Sequence, residues 1–285
     1  MSMWCCEDRR APFVRVFERT ATSAGYDLRI IRPAKEPAGF TQLKRHYRHL
    51  SPNPERFELA CLRRWFEIAA AVLPGDRFVQ ADSDLVVQTP FQRLPAELRD
   101  ADALVASIGV TGDVPEEDIN GGFSIWTGRR LRDFCDYAVA RYERGVDDLA
   151  DARARGIAAG NPRASISDMT LLHRWVREAG VPFVDSNRVI GGQYVDHNLS
   201  MVSCQGSRFR AAFGRKALRF ARDGVWLSTV EGLPVRPNTL HLVGRYKILA
   251  GNVERRDQGR LALKSLYLLG GRTGRRLLRI MGVST

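Results

Sequence analysis

Two hydrophobic periods alternate along this chain, and together they predict an α/β fold. From Pro12 to about Ala24 the apolar residues fall on one helical face, and Gly25 ends the run. Leu28-Arg29-Ile30-Ile31 then reads as a strand. Residues 33–53 are polar and rich in Pro, His and Arg, the composition of a long connection. Asn53-Pro54-Glu55 predicts a helix start, with an Asn cap, proline at the first helical position and an acid in the first turn. Phe57, Cys61, Leu62, Trp65, Phe66, Ala69 and Val72 line that helix as far as Pro74-Gly75. Arg77-Phe78-Val79-Gln80-Ala81 is a short strand running straight into Asp82-Ser83-Asp84.

Further on, residues 104–108 read as a strand, Gly112 to Ile119 as an acidic loop, and Asn120-Gly121-Gly122 as glycines leading into a strand through Trp126. A helix is expected from Arg129 to about Arg144, then a polar stretch rich in Ala and Arg as far as Arg163. Another helix begins near Ser165 or Ser167 and stops at Gly180. Residues 225–228 and 239–242 read as late strands. There is no internal repeat. The pattern suggests one domain over residues 1–250 and a basic, helical tail over 251–285.

Composition narrows the picture. With 44% hydrophobic residues the chain can bury a sizeable core. Its five cysteines show no CxxC pair or regular spacing, which argues against a disulfide framework or a zinc site and for a reducing, cytoplasmic setting. No apolar run reaches the roughly 18 residues of a membrane span. The net charge is +12, and residues 251–285 carry half of it, with eight Arg or Lys against two acids. Such a tail favours anionic partners, and its mixture of Leu and Arg suits either the face of an anionic membrane or a helix packed on the domain. Contact with a membrane would run through residues 255–280, on the inner face. No nucleic-acid partner is expected from a basic balance alone.

The candidate chemistry begins with Asp82 and Asp84. In extended chain, residues i and i+2 point the same way, so the two carboxylates can share one hard divalent cation. A pair of solvated turn acids fits the same spacing. His241-Leu242-Val243-Gly244-Arg245-Tyr246-Lys247 follows a late strand. A neutral imidazole there can add a third ligand, Gly244 permits close backbone approach, and Lys247 can set a charge on a phosphate. A half-buried strand histidine and a surface lysine are the plainer readings.

Arg63-Arg64, Phe78-Val79, Asp82-Ser83-Asp84, Asn120-Gly121-Gly122, Ser167-Asp168-Met169 and His241 to Lys247 occur in a fixed order. The set resembles the GT-A glycosyltransferases with a D-x-D and a late H-x-x-G-x-x-K, the family 8-like nucleotide-diphospho-sugar transferases, over about residues 55–250. The resemblance implies a Rossmann-like GT-A fold, a central mixed sheet with helices on both faces. It implies Asp82, Asp84 and His241 as ligands of Mn²⁺ or Mg²⁺, and Lys247 with Gly244 as the diphosphate contact. Arg64 (or Arg63) would reach the donor; the alternatives are solvent, Glu58 or Glu67. Asn120, Gly121 and Gly122 would lie under the donor sugar, or form a plain tight turn. Asp168 would orient donor or acceptor, and Ser165-x-x-Asp168 also reads as a capping box. With Asn120, Asp168 is the catalytic candidate. The implied donor is a nucleoside-diphosphate sugar, a UDP-sugar first, with retention of configuration and a saccharide, lipid-linked or protein acceptor.

Two features depart from that pattern. Only Met3-Trp4-Cys5-Cys6 stands before Glu7-Asp8, so the first strand is very short or truncated and the base contacts stay open. His46 and His49 could bind phosphate or be solvated loop residues. Two other classes remain: a non-catalytic basic protein binding membranes or nucleic acid, and a nucleotidyl- or phosphotransferase with paired carboxylates. No P-loop pattern supports an ordinary kinase.

Overall fold

The first strand, β1 (Ser2–Cys6), lies between two others in a sheet, and its residues alternate between a half-buried face and a buried one carrying Met3 and Cys5. The computed structural model describes residues 1–111, 114–162, 164–257, 259–261 and 264, with backbone alone at 111 and 114–116. Helix α1 (Pro12–Ser23) crosses from β1 to β2 (Asp27–Ile31), which pairs with β1 in parallel over five residues. Gly25, at φ +80°, makes the turn between them. The first strand, expected to be very short or truncated, is five residues long.

The 33–53 connection holds an unexpected helix, α2 (Ala38–His46), whose Phe40 and Leu43 are buried. Only those two core residues mark it in a stretch rich in Pro and charge. Helix α3 (Glu55–Ala71) follows, and here Pro54 is the N-cap. Asn53 does not cap it: its amide donates to Glu58 Oε1 at 2.8 Å. β3 (Arg77–Ala81) pairs with β1 in parallel and leads to β4 (Leu85–Val87), which belongs to a second sheet. After the one-turn helix α4 (Ala96–Arg99), β5 (Leu104–Thr111) and β6 (Val114–Thr127) form an antiparallel pair. The expected acidic loop is largely strand, because residues 114–119 extend the pair; Gly112 and Asp113 lie outside the described residues.

Helices α5 (Gly128–Arg144), α6 (Val146–Ala158) and α7 (Asp168–Glu178) precede β7 (Phe183–Asp185), which completes the six-stranded mixed sheet β2-β1-β3-β6-β5-β7. α6 occupies the stretch read only as polar. The cap of α7 is Ser167, whose hydroxyl is reciprocally bonded with Thr170, so the box expected at Ser165 and Asp168 sits two residues later. Alternation along the strands feeds two cores. Phe78, Leu104, Ala106 and Trp126 face α3, α5 and α7, while Val79, Val105 and Ile125 face Phe17 and Ala21 of α1.

The chain from 181 to 224 had no reading from the pattern, and it is built of very short pieces. These are β8 (Gln193–Val195), β9 (Ser203–Cys204) with β10 (Ser207–Arg208), β11 (Ala211–Ala212) with β12 (Arg215–Lys216), and β13 (Arg219–Ala221). β14 (Gly224–Ser228) and β15 (Pro234–His241) then form the sheet β13-β14-β15-β4, with β8 also on β15. A third core beneath it includes Leu227, Leu240, Leu249 and Val253.

The basic tail begins with α8 (Ala250–Glu254), which is tied to α1 by the Arg19–Glu254 ion pair at 2.7 Å. Leu261 is buried and Lys264 donates to the Ile248 carbonyl at 3.2 Å. The helical reading of residues 265–285 lies outside the described residues. Among the described residues, no helix is long and apolar enough to cross a membrane.

Candidate metal centre

Asp82-Ser83-Asp84 is the stitch between the two sheets. The Asp82 N–H donates to the Gly122 carbonyl of β6 at 2.8 Å, and the Leu242 N–H donates to the Asp84 carbonyl at 3.0 Å. β4 pairs with β15 so that Leu85 stands opposite His241. Residues about 160 positions apart in the chain are thereby brought together by backbone alone. The Ser83 hydroxyl donates to Glu7, itself gripped by the Arg9 guanidinium at 2.6 and 2.7 Å. Burial pushes the Glu7 carboxyl up, and the hydrogen bonds from Arg9 and Ser83 outweigh it, so its pKa lies below the ordinary value.

One ligand-type atom from each of Asp82, Asp84 and His241 lies within 4.8 Å of the others. Asp84 and His241 are 7% and 4% exposed, and Asp82 is half-buried. His241 Nε2 lies 3.1 Å from Asp84 Oδ1 and 3.9 Å from Asp82 Oδ2. Its Nδ1 lies 2.9 Å from the His197 carbonyl, an acceptor only, so Nδ1 carries the proton. That bond leaves Nε2 to face the carboxylates, as in histidines that bind metals. Two carboxylates and one imidazole fit a divalent cation of the Mn²⁺ or Mg²⁺ kind. In its absence a proton does the same work. Burial lowers the His241 pKa, but Asp84, and then Asp82 and Asp196, raise it to about 9. The Asp84 carboxyl is driven the other way: burial opposes, and His241 and Lys247 hold it far below the usual range.

A pH dependence follows. His241 has its pKa raised in the folded state, so the stability it confers on metal-free protein is fully present below about pH 6.5. We expect it to fade as pH rises from there through about 9, a loss on the order of 3 kcal/mol. Chemical denaturation in EDTA checks this, and replacing His241 with Gln should flatten the profile. An unchanged slope in that variant would remove His241 from the account.

Around the centre, Lys247 Nζ lies 3.0 Å from Asp84 Oδ2 and above the Phe13 ring. Gly244 has a φ of +60° and makes the left-handed turn out of β15, and no protein atom would meet a Cβ there within 4 Å. The two neighbouring arginines part company. Arg63 pairs with Glu67 at 2.8 Å, while Arg64 bonds Asp82 and reaches Asp168 at 2.7 Å rather than solvent, Glu58 or Glu67. Asp168 also accepts from the Trp65 indole at 2.9 Å.

Asn120 uses its side-chain oxygen to accept from the Gly122 N–H at 2.6 Å, and the three residues lie within β6 rather than in a tight turn. The glycines have a steric reason. A Cβ on Gly121 would stand 2.4 Å from the Trp65 ring, and one on Gly122 would stand 2.6 Å from His241 Cε1. The strand is also bulged here: Val105 faces Ile125 and Ser107 faces Asn120, so two residues of β5 span five of β6.

No family model matches the chain, and no curated protein matches it. Solved structures do. The galactosyltransferase LgtC, in complex with donor and acceptor sugar analogs, aligns at 14% identity over 89% of this chain and 96% of its own, with a TM-score of 0.42. The apo glycosyltransferase GlyE of Streptococcus pneumoniae TIGR4 aligns at 13% identity over 65% of this chain and 45% of its own, with a TM-score of 0.35. Mouse xyloside xylosyltransferase 1 aligns at 11% identity over 72% and 94%, with a TM-score of 0.39. This chain thus spans under half the length of GlyE. All three lie below 25% identity and below a TM-score of 0.5.

His46 is exposed, and His49 is 3.1 Å from the Tyr47 hydroxyl; neither joins the three-residue cluster. The pattern reading missed the supports of His241. Asp196 accepts from the His241 main-chain N–H at 2.9 Å and from Lys216 Nζ at 2.7 Å. The signal available was Asp196-His197-Asn198, an Asp-His pair inside the stretch left without elements.

Proposed function

We propose that this chain transfers a sugar from a nucleoside-diphosphate donor to an acceptor, with a divalent cation held by Asp82, Asp84 and His241. The observation that carries the reading is the convergence of those three side chains with Lys247 on Asp84 and Arg64 on both Asp82 and Asp168. Bound there, the cation would supply charge for gripping and neutralising a departing diphosphate. Lys247, three-quarters buried and ion-paired with Asp84, is placed to exchange that carboxylate for a phosphate oxygen. Arg64 and the Trp65 indole both bond Oδ2 of the buried Asp168, a group suited to orienting hydroxyls of donor or acceptor. The bulged Asn120-Gly121-Gly122 segment would form the floor under the sugar. Retention, a UDP-sugar and a saccharide, lipid-linked or protein acceptor are the finer parts of the proposal and rest on the motif resemblance. So does a tail contacting an anionic membrane, for which the support is sequence alone.

A thermal-shift panel of UDP-, GDP- and ADP-sugars with and without Mn²⁺ tests this. Sugar nucleotide and metal together should stabilise by about 2.7 kcal/mol at a hundredfold excess over Kd. A shift that is the same in EDTA, or no shift with any nucleotide sugar, would refute the metal-dependent reading. A shift with nucleoside triphosphate but none with nucleotide sugars would favour nucleotidyl transfer instead.

A further inference from the structure

At the opposite end of the β4–β15 ladder from the metal centre lies a second cleft of about 330 Å³. Thr89, which lines it, lies two residues past the end of β4, whereas Asp84 immediately precedes that strand. That volume is at the small end of the range for ligand sites, about 300–1,000 Å³. One wall is the turn at Gly191 and Gly192, whose φ values are +55° and +74°. Reciprocal backbone bonds of 2.9 Å between Ile190 and Gln193 close it, so the wall is rigid.

The side chains facing this cleft are poorly explained by the fold. Thr89 is 4% exposed and its hydroxyl has no partner. Gln193 Oε1 is likewise buried and unbonded. Buried polar atoms are nearly always bonded, so two at one cleft point to a ligand that completes them. Trp226 lines the same space, half-buried, with its indole N–H turned to Asp223 at 3.1 Å and its ring left for contact. Two cations, Arg93 and Arg236, also line it beside Gln88, Pro90 and Pro234, and no carboxylate is among the described residues that do.

We propose that this cleft binds an acidic sugar residue, a saccharide bearing a carboxylate or phosphate, remote from the metal centre. An aromatic face for the ring, a hydroxyl and an amide oxygen for the sugar hydroxyls, and two guanidinium groups for the acidic substituent are the groups such a ligand needs. The inference does not depend on the transferase reading.

The test uses the full chain, without metal or nucleotide, titrated by calorimetry with glucuronate, glucose 6-phosphate, glucose and inorganic phosphate. Glucuronate, glucose 6-phosphate or both should bind saturably, with glucose and phosphate at least tenfold weaker; which acid binds tells carboxylate from phosphate. Arg236→Gln and Trp226→Ala should each weaken binding tenfold or more. Thr89→Val, which removes a hydroxyl that the fold leaves unbonded, should weaken binding about fivefold without lowering the thermal midpoint. Asp84→Asn should bind as the parent does. The proposal is overturned if neither acid saturates, if phosphate alone matches the sugars, if Arg236→Gln and Thr89→Val both leave affinity unchanged, or if Asp84→Asn abolishes binding.

Discussion

Replacing Asp84 with Asn should lower metal-dependent sugar transfer roughly a thousandfold, within the range for losing one preorganised electrostatic contact. The chain should still fold. Asp84 bonds His241 at 3.1 Å and Lys247 at 3.0 Å, and both partners have somewhere to go. Without the Asp84 charge, burial favours neutral His241, and Lys247, a quarter exposed, can turn to solvent. Backbone contacts are unaffected, since the Leu242 N–H bonds the Asp84 carbonyl rather than its side chain. Transfer assayed across a Mn²⁺ titration, beside circular dichroism, separates chemistry from folding. An Asn variant with parental rate and parental metal dependence would dispose of the shared-cation reading.

The second large effect concerns stability. Lys216 and Asp196 are both fully buried, 2.7 Å apart, with Lys216 also bonded to the Asn198 carbonyl at 2.7 Å. Tyr194 and Phe209 place their rings 5.3 and 5.5 Å from the ammonium. Removing one partner of such a pair strands the other charge in a dry interior, which costs about 3–5 kcal/mol. Lys216→Met should therefore destabilise by that amount in denaturant unfolding. Adding Asp196→Asn should restore much of it, because the amide oxygen can still accept the His241 N–H while the stranded charge is gone. A single variant that loses under about 1 kcal/mol, or a double variant less stable than the single, would show that the pair is not what fixes this corner. The carboxylate also holds the His241 backbone, so Lys216→Met is expected to weaken Mn²⁺ binding too.

Much of this arrangement is legible in the sequence. The long helix α3 and the strand into Asp82 are strongly periodic and bounded by Pro or Gly, and both lie where the pattern put them, while the strand expected from Asn120 begins six residues earlier, at Val114. What escaped has a common cause. α2 offers two core residues in nine, and β8 to β13 are two or three residues long, too brief for a period to register. Their stability comes from contacts distant in sequence, such as Tyr194 against Phe209 and Lys216 against Asp196. For the same reason the three cation candidates could be named from spacing and order, while Asp196 and Lys216 could not. A positioning group is defined by what it touches, and touching is a property of the fold. Gly244 shows what spacing does not reveal: its φ of +60° makes a left-handed turn out of β15, a conformation that motif order could not specify.

The aromatic cluster under the sheet has a practical corollary. Trp126 and Trp175 lie nearly parallel at 6.0 Å, Trp65 stands 5.3 Å from Trp126, and the Trp65 indole shares Asp168 with Arg64. Chromophores that close couple their transitions, so the near-ultraviolet dichroism of this protein should carry a signature dominated by them. Because Arg64 connects Asp168 to Asp82, filling the carboxylate pair should perturb that spectrum directly, making occupancy readable by light without a label.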